Sequence, residues 1–166
     1  MIRKKVCLLG SYAVGKTSLV RRFVYSEFSD RYHTTVGVKV DKKELVVNGH
    51  ELHLVLWDLY GEDRWQEVRA SYLRGAAGAL VVVDATRLET LEVARGLSER
   101  LRAGDANAKV HLVLNKIDLE GEFAVPLDEW RARLDWAPVH LASAKTGSGV
   151  EEAFAALGQD LLAGRP

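Results

Sequence analysis

Residues 10–17, GSYAVGKT, match the spacing G-x-x-x-x-G-K-[ST] between an apolar strand pattern and a helical pattern. Glycines at these positions let the backbone curl so that several N–H groups point at one anion, and the following helix N-terminus adds partial positive charge. Lys16 would reach the β- and γ-phosphates, and the Thr17 hydroxyl would bind Mg²⁺. The segment predicts a nucleoside triphosphate site but leaves the base open, since kinases, ATPases and GTPases share it. The other residues expected to line it are Ser11, Tyr12, Ala13, Val14, Gly15 and Ser18.

The elements that must position this loop alternate between apolar strands and amphipathic helices. Residues 4–9, 78–84 and 109–116 are typical of buried strands, and Asn48-Gly49 between two β-type runs indicates a hairpin. Residues 86–104 are expected to form a helix with one apolar face, formed by Leu88, Leu91, Leu97 and Leu101. The predicted order is β-α-β-β-α-β-α-β-α-β-α. It implies a single α/β domain, residues 1–166, with a sheet of about six strands, mainly parallel with one antiparallel strand, and helices on both faces.

A base-reading motif follows one of these strands. Residues 115–118, NKID, come directly after KVHLVL, and with them the chain resembles the small GTPase superfamily of the Ras and Rab kind, over roughly residues 4–162. The resemblance implies that Asp118 accepts two hydrogen bonds from guanine, N1 and the exocyclic amine. A carboxylate has only acceptors, so it suits guanine and rejects adenine. Asn115 would tie the loop to the base and the phosphate loop, and the Lys116 stem would cover the ribose.

A third motif, SAK at residues 143–145, follows the last predicted strand. By the same resemblance, the Ala144 N–H meets guanine O6, Lys145 supports the ring, and Ser143 belongs to the same loop. Together with the phosphate loop, the motifs occur in the family's order and imply a P-loop NTPase of the small G domain type that binds GTP and GDP with Mg²⁺.

Two segments match the switches of that family. In residues 28–37, the resemblance implies that Thr35, rather than Thr34, binds Mg²⁺ through its hydroxyl, and that it does so only when a γ-phosphate is present. Phe28 would pack on the guanine edge and Tyr32 would close over the phosphates, with ordinary core packing as the alternative for both. Asp58 would hold Mg²⁺ through a water. The Gly61 N–H would bond the γ-phosphate, so loss of that phosphate would release both segments.

The second switch departs from the family pattern. Leu-Tyr-Gly-Glu stands at residues 59–62 in place of Thr-Ala-Gly-Gln, so the catalytic set would be Lys16, Thr35, Gly61 and Glu62. An ionised Glu62 cannot donate a hydrogen bond as glutamine does, and it carries negative charge toward the γ-phosphate. Slow or unorthodox hydrolysis is therefore expected. Tyr12 stands where the family has a small residue, and it could crowd an arginine finger or bond the γ-phosphate.

The segment LVLWD resembles the Rab branch, in which surface apolar residues meet effectors in the GTP state. The corresponding residues here are Val40, Trp57 and Tyr72, with partial core burial as the alternative, and Trp65 is a candidate additional anchor. The resemblance also implies a GTPase-activating protein and an exchange factor.

The composition limits the other partners. Lys plus Arg equals Asp plus Glu at 23 each, which argues against nucleic acid as a main partner. The single cysteine, Cys7, and the absence of a signal peptide indicate a cytoplasmic protein. No prenylation box ends the sequence, so stable membrane anchoring by this chain is not expected. Two alternatives remain: a pseudo-GTPase that holds nucleotide as a structural ligand, and a P-loop kinase, for which the sequence shows neither lid nor acceptor pocket.

Overall fold

The computed structural model describes residues 1–28, 38–59 and 68–163. Within these ranges the order of strands and helices is the predicted one, with an additional 3₁₀ turn at Glu120–Glu122. The strands are β1 (Ile2–Leu9), β2 (Val38–Val47), β3 (His50–Leu59), β4 (Gly78–Asp84), β5 (Lys109–Asn115) and β6 (Val139–Leu141). The helices are α1 (Lys16–Tyr25), α2 (Ala70–Leu73), α3 (Thr90–Gly104), α4 (Leu127–Arg133) and α5 (Val150–Leu162).

One six-stranded sheet in the order β2-β3-β1-β4-β5-β6 organises the chain, and this confirms the predicted fold class. The β2–β3 pair is antiparallel and the other four pairs are parallel. The hairpin turns at Asn48 and Gly49, whose φ angles of 50° and 81° are both positive, as this type of two-residue turn requires. The carboxyl ends of β1, β4, β5 and β6 therefore meet at one edge of the sheet, where their loops can surround one ligand.

Each face of the sheet carries its own apolar core. Helices α1 and α5 cover one face, where the Phe23 and Phe154 rings stack with centroids 3.9 Å apart. Helices α3 and α4 pack on the other face, where the fully buried Trp130 donates its indole N–H to the Ala85 carbonyl at 3.1 Å. These two layers fix the sheet edge and its loops relative to the helices.

Helix α3 begins four residues later than the sequence predicts. The Thr90 hydroxyl donates to the Arg87 carbonyl at 2.7 Å and accepts the Asp84 N–H at 3.0 Å, so the intervening residues form a turn instead of a first helical turn. Leu88 consequently lies outside the helix and is exposed, and its assignment to the apolar face was wrong. The other three leucines of that face are buried.

Candidate nucleotide-binding site

The phosphate loop lies between the end of β1 and the start of α1, as predicted. Ala13 and Gly15 have φ angles of 64° and 103°, which curl the backbone ahead of the helix. A Cβ on Gly15 would collide with the side-chain amide of Asn115, so only glycine fits where the two loops meet. Val14 and Ser11 are buried, whereas Tyr12 is 40% exposed.

Three side chains hold the outward-facing carbonyls of this loop. Arg87 donates to the Tyr12 carbonyl at 2.7 Å, Lys116 to the Ala13 carbonyl at 3.0 Å, and Asn115 to the Val14 carbonyl at 2.9 Å. In a planar trans peptide the C=O points opposite to the N–H of the next residue. Fixing three consecutive carbonyls on the outside therefore turns the N–H groups of residues 13, 14 and 15 toward the inside, where that of Val14 also makes a long bond to the Ser11 carbonyl, at 3.4 Å. This is the arrangement that an anion needs.

The Lys16 side chain is folded into the loop and is 6% exposed. Its ammonium donates to the Gly10 carbonyl at 3.0 Å and to the Ser11 carbonyl at 3.1 Å. The loop thus places one buried positive charge beside its inward-facing N–H groups.

Two predicted metal ligands are brought together next to the loop. The Thr17 hydroxyl, at the start of α1, donates at 2.6 Å to Oδ2 of Asp58, near the end of β3. Asp58 is 1% exposed. A hydroxyl and a carboxylate at the mouth of a phosphate loop are the hard oxygen donors that Mg²⁺ binds, together with waters and phosphate oxygens.

The predicted base-reading residues lie at the ends of β5 and β6. Ser143 donates its hydroxyl to Asp118 Oδ1 at 2.7 Å, which orients the carboxylate. The Ala144 N–H donates to Asn115 Oδ1 at 3.3 Å, so Asn115 touches both the phosphate loop and the SAK loop. Lys145 is exposed beside them. The three motifs that are far apart in the sequence therefore form one continuous site.

Asp84, at the end of β4, belongs to no motif, and the sequence patterns do not identify it as a site residue. It is fully buried, and its Oδ1 accepts the N–H and the hydroxyl of Thr86 at 2.9 and 2.7 Å. Its Oδ2 lies 2.8 Å from the Lys116 ammonium and 3.8 Å from the Arg87 guanidinium. Asp84 thus anchors two of the three side chains that hold the phosphate loop. The only sequence signal is a carboxylate that ends a fully apolar strand.

The predicted effector residues lie on β2, β3 and α2, and those on β3 and α2, Trp57 and Tyr72, pack in part against the core under α3 and α4. Val40 is 46% exposed and pairs in register with Trp57. Trp57 is half-buried, with the Lys5 ammonium 3.8 Å from a ring centroid. Tyr72 is also half-buried, and its carbonyl accepts the Cys7 thiol at 3.6 Å. Burial raises the pKa of Cys7 to about 11, which makes this thiol unreactive.

Phe28 is half-buried against the α1–α5 core, so core packing accounts for at least part of its surface. The remaining predicted residues fall in residues 29–37 and 60–67, outside the described residues. They are Tyr32, Thr34, Thr35, Tyr60, Gly61, Glu62 and Trp65. In the part of the chain that the structure describes, no helix is long and apolar enough to cross a membrane.

Comparison with known proteins agrees with this geometry. A model of the Ras family matches residues 5–163. Ras-related protein RIC2 of Oryza sativa subsp. japonica is 40% identical over 154 residues, which cover 91% of this chain and 71% of the relative. Ras-related protein RABA1b of Arabidopsis thaliana is 38% identical over 154 residues, with the same coverage. Ras-related protein RABA3 of the same plant is 37% identical over 165 residues, which cover 95% of this chain and 68% of the relative. The chain therefore belongs to the Ras family of small GTPases, with relatives in its Rab branch.

Proposed function

We propose that this chain is a single-domain guanine-nucleotide switch, residues 1–166, that binds GTP and GDP with Mg²⁺ and hydrolyses GTP slowly. The observation that carries the proposal is Asn115, which donates to the Val14 carbonyl of the phosphate loop and accepts the Ala144 N–H of the SAK loop. One side chain thus couples the phosphate end of the site to its base end. Beside it, Asp118 presents a carboxylate that matches the two donors of guanine.

Mg²⁺ fits the residues at the mouth of the loop. Thr17 and Asp58 supply a hydroxyl and a buried carboxylate 2.6 Å apart, and Thr35 would add a second hydroxyl in the GTP state. When bound, the ion would neutralise charge on the β- and γ-phosphates. Thr17 and Asp58 would orient it, Asp58 through a water.

The phosphate-binding residues of the chain favour the charge-rich transition state of phosphoryl transfer. Lys16 and the inward N–H groups of residues 13–15 lie where they can stabilise charge on the β- and γ-phosphoryl oxygens. The attacking water would depend on the second switch, where the Gly61 N–H would bind the γ-phosphate and Glu62 stands in place of glutamine. Because Glu62 cannot donate when ionised, we expect weak orientation of that water and slow intrinsic hydrolysis.

The exposed part of the hairpin supports an effector role. Val40 is exposed on β2 and pairs with Trp57. We expect an effector to bind, in the GTP state, a surface formed by Val40, Trp57, Trp65 and Tyr72. An activating protein and an exchange factor would complete the cycle. The buried reduced thiol of Cys7 agrees with a cytoplasmic setting.

A second candidate, a module that keeps nucleotide without turnover, is favoured by Glu62 and by the 40% exposed Tyr12 in the phosphate loop.

Nucleotide-stripped protein should bind GDP with Mg²⁺ in calorimetry and should not bind ADP; equal binding of both would refute guanine selection. Single-turnover assays, with chromatography of the released nucleotide, should show GTP cleaved slowly by the wild type and faster by Glu62→Gln. Glu51→Gln, an exposed hairpin change, is the matched control and should cleave at the wild-type rate. No cleavage and no exchange over days would favour the module.

A further inference from the structure

Arg22, in the last turn of α1, reaches across to the SAK loop. Its Nε donates to the Ala144 carbonyl at 2.8 Å, and its Nη2 donates to the next carbonyl, that of Lys145. Its aliphatic stem passes beside Gly147, where an added Cβ would lie 3.7 Å from Arg22 Cδ. The contact joins residues that are 122 and 123 positions apart in the sequence.

Two consecutive carbonyls bound by one planar guanidinium leave the loop little rotational freedom. The other bonds of this loop include internal ones, from the Gly147 N–H to the Ser143 carbonyl and from the Thr146 N–H to the Ser143 hydroxyl, and bonds to Asn115 and Asp118 of the NKID segment. Among these contacts, only that of Arg22 connects the loop to α1, the helix that begins with Lys16 and Thr17. Lysine replaces a bidentate donor of this kind only in part, because its ammonium lacks the planar fork of the guanidinium.

We propose that Arg22 is a positioning residue for guanine selection. It holds the SAK loop so that the Ala144 N–H, whose bond to Asn115 Oδ1 is long at 3.3 Å, can also donate to guanine O6, and it couples that loop to the helix of the phosphate site. The proposal rests on the proposed function, because O6 recognition by Ala144 belongs to that assignment. The guanidinium of Arg22 is engaged with the SAK-loop carbonyls, and Arg22 is not among the residues expected to contact the nucleotide.

The test compares Arg22→Ala and Arg22→Lys with Arg21→Ala. Arg21, the preceding residue of the same helix, forms an ion pair with Glu27 at 3.3 Å and is the matched control. Each variant is loaded with fluorescent GDP and with 6-thio-GDP, which differs at the atom facing Ala144 and is a weak acceptor there. Dissociation rates of both nucleotides are then measured with Mg²⁺.

Arg22→Ala should release GDP about 10- to 100-fold faster than the wild type, because two charge-assisted hydrogen bonds that order the loop are lost. The dissociation rate of 6-thio-GDP should increase by a smaller factor, so the ratio between the dissociation rates of 6-thio-GDP and GDP should become smaller. The GDP release rate of Arg22→Lys should lie between those of the wild type and Arg22→Ala. The release rate of Arg21→Ala should match that of the wild type. Should Arg22→Ala fail to fold, the narrowed preference must still be seen with Arg22→Lys.

The inference is overturned if Arg22→Ala, or Arg22→Lys in its place, releases GDP at the rate of Arg21→Ala. It is also overturned if release of both nucleotides accelerates equally, since that would reflect a general loosening of the fold. Failure of the wild type itself to bind GDP is a different outcome, which refutes the proposed function.

Discussion

Replacing Asp84 with asparagine should loosen the phosphate loop without disturbing the strand that carries the residue. Asparagine keeps an oxygen for the two Thr86 donors but removes the charge that faces Lys116 at 2.8 Å and Arg87 at 3.8 Å. Breaking a fully buried ion pair costs about 3–5 kcal/mol, and an exposed pair about 0–1 kcal/mol. Asp84 is fully buried, whereas the Lys116 and Arg87 side chains are 32% and 30% exposed. We therefore expect the free energy of unfolding to fall by about 1–3 kcal/mol.

The functional consequence follows from what the two cations hold. Without Asp84 they would donate less firmly to the Ala13 and Tyr12 carbonyls, and GDP affinity should weaken roughly tenfold. Urea denaturation of nucleotide-stripped protein and calorimetry with GDP measure the two effects. Asp105→Asn is the matched control, because exposed Asp105 also accepts an N–H two residues later, at 2.9 Å. Equal stability and equal GDP affinity of the two variants would refute this role for Asp84.

Three further changes test other parts of the structure. Gly15→Ala forces a Cβ onto Asn115 at a φ of 103° and should weaken GDP binding on the order of a hundredfold in calorimetry, whereas Gly49→Ala, at a φ of 81° with open space, should not alter it. Trp130→Phe removes a buried indole hydrogen bond and should lower the free energy of unfolding in urea by about 1–3 kcal/mol with GDP affinity unchanged. Burial lowers the pKa of His140 below its ordinary 6.5, so the unfolded chain binds this proton more tightly; the free energy of unfolding should fall as the pH drops below about 6.5, and His140→Gln should reduce that fall. An unchanged pH profile in His140→Gln would contradict the last expectation.

The sequence predicts those parts of the candidate site that are formed by residues close to one another in the chain. The phosphate loop, NKID and SAK each place their groups within a few residues, and the alternation of strands and helices puts all three at one sheet edge. Local patterns do not predict pairings set by tertiary packing. In the sequence, Arg22 looks like any other polar residue of an amphipathic helix, but the carbonyls to which it donates lie more than 120 positions away. Leu88 fits the helical spacing but lies outside the helix, because the Thr90 hydroxyl favours a turn there.

Two residues of the NKID segment also form part of the surroundings of the phosphate loop. When the N–H groups of residues 13–15 turn toward the inside of this loop, the carbonyls of residues 12–14 point outward, where each needs a donor. Here those donors are Arg87 from the β4–α3 connection, and Asn115 and Lys116 from the end of β5. In the proposed function, Asn115 and Lys116 would thus serve the phosphates by binding the outside of their loop, while Asp118, two positions on, would serve the base. We therefore expect a displacement of the base loop to move the carbonyls of the phosphate loop, so that nucleotide affinity at one end of the site would depend on contacts at the other.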